Sequence, residues 1–311
     1  MAATYMTLAD LVKINDQNLA DLNVSDILND APFLAALPAD VASNGTLHKY
    51  LKETGAPVIG FRAVNDGREL KASADTLVTV TLQILDATFR ADVALAMAYS
   101  KGRDAYIARE AARHMKAAFF GAEKQLIYGT IADAAGYTGM AQVITHKDDA
   151  MAVDAAGTTA GNGSSVWMVR ATPDDVQAIA GNNGNIEMLD TVVVEAAGSA
   201  TGTYPALYTP ITGYLGLQCG SAYSIGRICN LTADSGKGLT DSLLGALYAK
   251  FPATRPPTLI LMSRRSREQL RASRTAYSPS GQEVPSPKEW EGIPILTTDA
   301  IVNTETLLAA A

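Results

Sequence analysis

Histidine and cysteine are the scarcest sources of chemistry in this chain: three of the first and two of the second in 311 residues. Two cysteines, Cys219 and Cys229, cannot build a disulfide scaffold. The histidines, His48, His114 and His146, lie far apart in sequence with no second ligand at helical spacing, so no metal motif is present. His114 follows Glu110 by four residues, which predicts an i,i+4 pair. Charged residues amount to only 18%, with 25 basic against 32 acidic for a net charge of −7. A chain that grips nucleic acid through phosphates carries a basic excess, so tight wrapping of DNA or RNA is disfavoured. No apolar run approaches the ~18 residues of a membrane span. The opening MAATYMTLADL lacks the basic-then-apolar pattern of a secretory signal. The expectation is a soluble protein of a reducing cytoplasm, with no membrane partner.

Familiar catalytic patterns are also missing. Gly236-Lys237 is followed by Gly238, and Leu231 stands where a phosphate-binding loop needs its first glycine. Asp234 to Gly238 therefore reads as a turn. Ser221 and Ser224 miss the G-x-S-x-G spacing. Asp174-Asp175 after Pro173 suits a helix start better than a paired-carboxylate site. No catalytic, metal or cofactor residue is assigned, and the expectation is a protein that is not an enzyme.

What is present is mechanical. Residues 1–46 read as an arm: Thr7 and Asp10 open a short helix through Leu8, Leu11, Val12 and Ile14, and a second apolar pattern runs from Val24 to Leu34, interrupted by Pro32. Residues 47–92 read as a long β-hairpin. Its first strand is placed at Ala56 to Val64, its turn at Asn65-Asp66-Gly67, and its return at Thr76 to Ile84, with Val78, Val80, Leu82 and Ile84 on one face. At about 3.3 Å per residue such a strand reaches about 33 Å, and an isolated ribbon of that length needs a partner surface. Residues 103–128 form the strongest helix, with Ala108, Ala111, Ala112, Met115, Ala118, Phe119, Ala122 and Leu126 as its apolar stripe and Gly129 as its stop.

Residues 130–163 read as turns and loops, and residues 164–230 as short strands that should form one compact, mostly antiparallel unit. Cys219 and Cys229 fall in adjacent strands of that unit. A helix over 240–250, a buried strand at Thr258 to Met262 and a basic helix capped by Ser263 follow. The latter carries Arg264, Arg265, Arg267, Arg271 and Arg274, either a solvated face or a set of charge pairs with acidic surface on this or another subunit. A polar Pro/Ser/Gly loop spans 276–289, and Ile293 to Leu296 and Thr304 to Leu308 read as closing strands.

Taken in order, these pieces resemble the major capsid proteins of tailed bacteriophages, an α+β family with the Hong Kong 97-type fold. Arm, hairpin and long helix resemble that family's N-terminal arm, extended loop and spine helix. "EKQLIYGT…GYTGM" (Glu123 to Met140), "LTDSLLGALYAKFPATRPPTLILMSRRSREQL" (Leu239 to Leu270) and "WEGIPI" (Trp290 to Ile295) are similar to its glycine turn, axial-domain helix–strand–helix and late strand. About 100 residues separate the glycine turn from the axial helix, where the minimal family pattern has few; "SSVWMVR" and "SAYSIGRICNL" resemble lineages that insert a β-rich segment there.

The resemblance implies a division into arm (1–46), extended loop (47–92), peripheral domain (93–150), axial domain (151–290, with a β-rich insertion at 164–230) and closing strands (291–311). It implies assembly residues in the extended loop (Val58, Phe61, Asn65, Asp66, Gly67, Lys71, Val78, Val80, Leu82) and in an axial loop (Pro279, Gly281, Pro285, Pro287), with charge pairing by Arg264, Arg265, Arg267 and Arg271. Lys71 has no identifiable crosslinking partner. The implied function is an icosahedral shell of hexamers and pentamers in the virion, assembled in a bacterial cytoplasm. It would enclose double-stranded DNA without sequence recognition, aided by a portal, a separate scaffolding protein and a decoration protein. A bacterial nanocompartment shell, and a hydrolase or binding module on the β-rich segment, are the alternatives.

Overall fold

The computed structural model describes residues 31–69, 71–99, 102–173, 175–184, 186–197, 202–276 and 284–311. The helix expected at Thr7 to Ile14 and the residues Pro279 and Gly281 lie outside them.

Among the described residues a short helix α1 (Pro32–Ala36) comes first, with Phe33 and Leu34 buried. Pro32 does not interrupt this helix but opens it, because a first-turn N–H has no intrahelical partner to lose. The strands β1 (Ala39–Val41), β2 (Leu47–Gly55), β3 (Ala74–Thr81), β4 (Gln83–Asp86) and β5 (Phe89–Asp92) follow, then a short helix α2 (Val93–Met97). The long helix α3 spans Arg103–Tyr128 and stops at Gly129, whose φ of 59° favours glycine. Ala111, Met115, Phe119, Ala122 and Leu126 form its buried stripe, as the sequence periodicity predicts.

Among the described residues, three sheets besides the β2–β3 pair make up the body. A six-stranded sheet runs β15 (Glu289–Trp290), β16 (Ile293–Thr297), β14 (Leu259–Met262), β7 (Ser164–Val169), β13 (Ile225–Leu231) and β6 (Ala152–Asp154). Helices α4 (Asp241–Tyr248) and α5 (Arg264–Ala276) accompany it. A second sheet orders β1, β8 (Val176–Ala180), β12 (Ile211–Cys219) and β4, with β9 (Glu187–Met188) on the end of β12. A third orders β10 (Val192–Ala197), β11 (Thr203–Thr209) and β5. Fully buried β7, β8, β13 and β14 supply the core, with Trp167, Met168, Ile179 and Ile228 among its largest side chains.

Several expectations are corrected by this topology. The first hairpin strand is Leu47–Gly55, not Ala56 to Val64. Its polar sequence, LHKYLKETG, conceals it, while Pro57 and Gly60 deprive the more apolar stretch of ladder bonds and rigidity. Residues 56–69 and 71–73 instead form an irregular tip, within which Asn65 (φ 64°) makes a local turn. Leu82 falls between β3 and β4, so the alternation restarts there and Ile84 is exposed. β4 and β5 leave the hairpin altogether and pair with β12 and β11.

The segment 164–230 is not one unit: its strands divide among all three sheets, because β7 and β13 are needed beside β14. Cys219 in β12 and Cys229 in β13 therefore lie in different sheets, both as free thiols. Asp175 starts no helix. It closes a turn into β8, and its carboxylate accepts from Arg170 (2.6 Å) and the Ser224 hydroxyl (2.8 Å). His114 does not pair with Glu110. Its ring stacks on Phe89 at 5.1 Å, and Glu110 takes Arg109 and Arg113 at 3.0 Å each. Thr304 to Leu308 is no strand. A single bridge from Glu305 to Gly163, and Asn230 bonded to both backbone groups of Leu308, hold that tail.

Candidate assembly interface

β2 and β3 pair antiparallel into a ribbon outside the three sheets. Alternation gives it two unlike faces. Toward the body it presents His48, Tyr50, Val78 and Val80; away from it, Leu51 and Leu77 face each other across the strands, both exposed.

The root of the ribbon is built for close approach. Leu82 is buried, and its N–H donates to Thr46 O at 2.9 Å. Gly216 of β12 lies beneath it: a Cβ there would come within 2.5 Å of Leu82 Cδ2. The Tyr50 hydroxyl donates to Cys219 O at 2.7 Å, and burial pushes its pKa up to about 12. Beyond the root, a cleft of about 520 Å³ separates ribbon from body, lined by Tyr50, Val78, Val80, Tyr137 and Thr138 among others.

The expected loop residues thus separate into two groups. Val78, Val80 and Leu82 seat the ribbon on its own subunit. Val58, Phe61, Asn65, Asp66, Gly67 and Lys71 belong to the tip, where Phe61 is fully exposed and Ile59 and Val64 nearly so. Within the tip, Val58 N–H donates to Lys71 O (3.1 Å), Gly67 N–H to Asp66 Oδ1 (2.8 Å), and the Arg68 guanidinium to the carbonyls of Gly60 (2.7 Å) and Val58. No apolar core stands behind these side chains.

Of the axial-loop residues, Pro285 is exposed and Pro287 buried, with Pro287 O accepting from Arg267 Nε at 3.0 Å. The arginines of α5 bond within their own subunit. Arg264 pairs with Asp299 (2.7 Å) and Arg271 with Glu268 (2.9 Å). Arg274 forks onto Asp241 (2.9 and 2.7 Å), and Arg265 donates to Asn162 Oδ1 and O (2.6 and 2.8 Å). Arg264, Arg265 and Arg274 tie α5 to its surroundings, whereas the Arg271–Glu268 pair lies within the helix.

Two buried polar centres escaped the sequence reading. The Glu123 carboxylate of α3 accepts from the N–H groups of Phe33 (2.9 Å) and Leu34 (3.2 Å) and from the Thr298 hydroxyl, tying α1 and the end of β16 to the long helix. Burial raises its pKa above the usual carboxylate value. In the second centre, Glu305 accepts from Arg227 Nη2 (3.0 Å), Ser165 Oγ (2.5 Å) and Tyr128 Oη (2.6 Å), and the Arg227 guanidinium lies 4.7 Å from the Trp167 ring centre. The signal that could have found them is a lone charge among buried neighbours: Glu123 in the apolar end of α3, Arg227 in Ile225–Leu231. Among the described residues no cluster of three or more His, Cys, Asp or Glu could hold a metal ion.

A family model described as "Major capsid protein GP7" matches residues 16–309. The chain belongs to that family. No curated protein matches it. A solved structure of bacteriophage Epsilon15 is similar over 100% of both chains, at 20% identity and TM-score 0.64. The capsid of bacteriophage JBD30 is similar over 96% of this chain and 99% of that one, at 9% identity and TM-score 0.51. Such distant likeness speaks for the fold, which is the Hong Kong 97-type capsid fold expected from the ordered elements. The protein is a major capsid protein, a structural component of the virion shell. In this capsid subunit the ribbon is the extended loop and α3 the spine helix.

Proposed function

We infer that this capsid protein builds the icosahedral shell of a tailed bacteriophage as hexamers and pentamers around double-stranded DNA. The observation that carries this is the ribbon. It is rooted on β12 but ends in an exposed apolar tip for which its own subunit offers no core. A tip of this kind is stabilised by a neighbour's surface in a standard-sized protein interface. The tip residues Val58, Phe61, Asn65, Asp66, Gly67 and Lys71 act in assembly, as do the axial-loop residues Pro279, Gly281, Pro285 and Pro287.

Assembly takes place in the host cytoplasm, with a portal and a separate scaffolding protein; a decoration protein completes the outer surface. The DNA is confined by the shell and not recognised by sequence, in keeping with the net charge of −7. The test is electron microscopy of the expressed chain beside a variant lacking Ala63 to Ser73. The full chain should form shells. The deletion should keep its circular dichroism and lose assembly, and normal shells from the deletion would refute the role of the ribbon.

A further inference from the structure

Residues 58–64, Val-Ile-Gly-Phe-Arg-Ala-Val, have the composition of a β-strand but no strand partner. Val58 N–H donates to Lys71 O, and the carbonyls of Val58, Gly60 and Ala63 accept from Arg68 or Asp66 N–H, but the N–H groups of 59–64 donate to no other backbone group of the described residues. The segment lies at the outer end of a ribbon whose nine-residue first strand carries it away from the root.

The body of the subunit holds the complementary deficiency. Open sheets expose the backbone groups of their edge strands, and natural proteins keep such edges short or cover them. The six-stranded sheet ends in β15 and β6, of two and three residues, and the second sheet in β1 and β4, of three and four. The third sheet ends on one side in β5, whose Phe89 and Ala91 are buried, and on the other in β10. β10 has six residues, begins Val-Val-Val, and exposes Val192 and Val193. No strand of the described residues pairs with its outer edge. It is the longest and most apolar open edge of the body.

Charge favours the same match. From residue 171 to residue 226 the chain contains five acidic residues and no lysine or arginine. Glu195 stands exposed on β10 and Asp190 two residues before the strand. The tip, 56–73, carries Arg62, Arg68 and Lys71 against Asp66 and Glu69. Lengths agree as well: at about 3.3 Å per residue, both the seven-residue tip segment and the six-residue edge span about 20 Å.

We propose that residues 58–64 of one copy add as a fourth strand to the open β10 edge of a second copy in the shell. This rests on the shell-forming role and names the surface through which it acts. The mode is strand addition, in which main-chain bonds give affinity and alternate side chains give register. In the added strand Ile59 and Phe61 would share one face and Val58 and Val64 the other, beside the oppositely facing Val192 and Val193, and the tip bases would meet the acidic rim.

Hydrogen exchange on unassembled subunits and on shells tests it without mutation. Amides of 58–64 and of 192–197 should slow together, by about tenfold or more, when shells form. A crosslink assigns the partner. Subunits bearing Phe61→Cys are co-assembled with subunits bearing Val193→Cys and oxidised, and a covalent dimer should appear that neither variant gives alone. Each single variant, oxidised alone, controls for half-buried Cys219 and buried Cys229. Protection of 192–197 without 58–64 would mean another occupant and overturns the proposal. So does joint protection with no Phe61–Val193 dimer, or shells in which 58–64 exchange as freely as in the subunit. Failure of the chain to form any shell would instead strike the proposed function, and electron microscopy of the same samples separates the two.

Discussion

Replacing Glu305 by alanine isolates the cost of a broken buried ion pair. The carboxylate receives three charge- or hydroxyl-borne hydrogen bonds, from Arg227, Ser165 and Tyr128, and both members of the ion pair are almost fully buried. Removing one partner of such a pair costs about 3–5 kcal/mol, because the other charge remains in the interior. Arg227 would keep two acceptors, Ser165 Oγ at 2.9 Å and Ile144 O at 3.1 Å, and its place over the Trp167 ring. The expected loss therefore lies near the lower end, about 3 kcal/mol. For a chain of this size that lowers the melting temperature by about 5 °C. Thermal unfolding of unassembled subunits, followed by circular dichroism, reads the change. The double variant Arg227→Met, Glu305→Leu removes both charges and should recover most of the stability. A Glu305→Ala subunit melting within a degree or two of the parent, or a double variant no better than the single, would show that the pair is not the closure described.

Glu123→Gln should destabilise most at acid pH. The folded-state pKa of Glu123 is raised by burial, so its stabilising contribution is complete below the free-carboxylate range and declines as pH rises through the folded value. The stability gap between parent and variant should thus narrow from pH 4 to pH 8, and a gap that widens refutes the assignment. Gly129→Ala should cost more than about 1 kcal/mol, since φ is positive and the new Cβ would lie 2.2 Å from Gly139 N, a backbone atom that cannot swing aside; equilibrium denaturation reads it. Purified capsomers should bind duplex DNA more weakly than micromolar at moderate salt, and submicromolar affinity with a steep salt slope would reveal a basic inner wall.

Legibility in the sequence followed the strength of local signals. The spine helix was readable to the residue because its stripe is long and Gly129 ends it. β7, β13, β14 and α4 were readable because their residues are buried regardless of neighbours in sequence. β2 was missed because its stability comes from pairing with β3 and from Tyr50 at the root, not from its own polar residues. Residues 56–64 were read as a strand because they have the composition of one, and the subunit alone does not supply the partner. The arrangement of strands into sheets was not legible, since nothing local tells β11 to pair with β5 while its neighbour in sequence, β12, pairs with β8 and β4. Within the ribbon, the local turn at Asn65 was legible, while the glycine of β12 that seats its root was not.

The ribbon's foundation is translated long after the ribbon itself. β4, at its foot, pairs with β12, so residues up to 86 wait for residues from 211 onward, a separation of 125 positions. At bacterial or eukaryotic speeds of about 5–20 residues per second, the interval is about 6–25 s. Throughout it, a nascent chain displays an apolar tip and two strands with nothing to rest on, and on a polysome many copies do so side by side. Closure across so long a span is also intrinsically slow. Production of this subunit is consequently expected to depend on how well the cell shields unfinished chains, and slowing synthesis between β5 and β12 should lower the yield of soluble protein more than slowing it elsewhere.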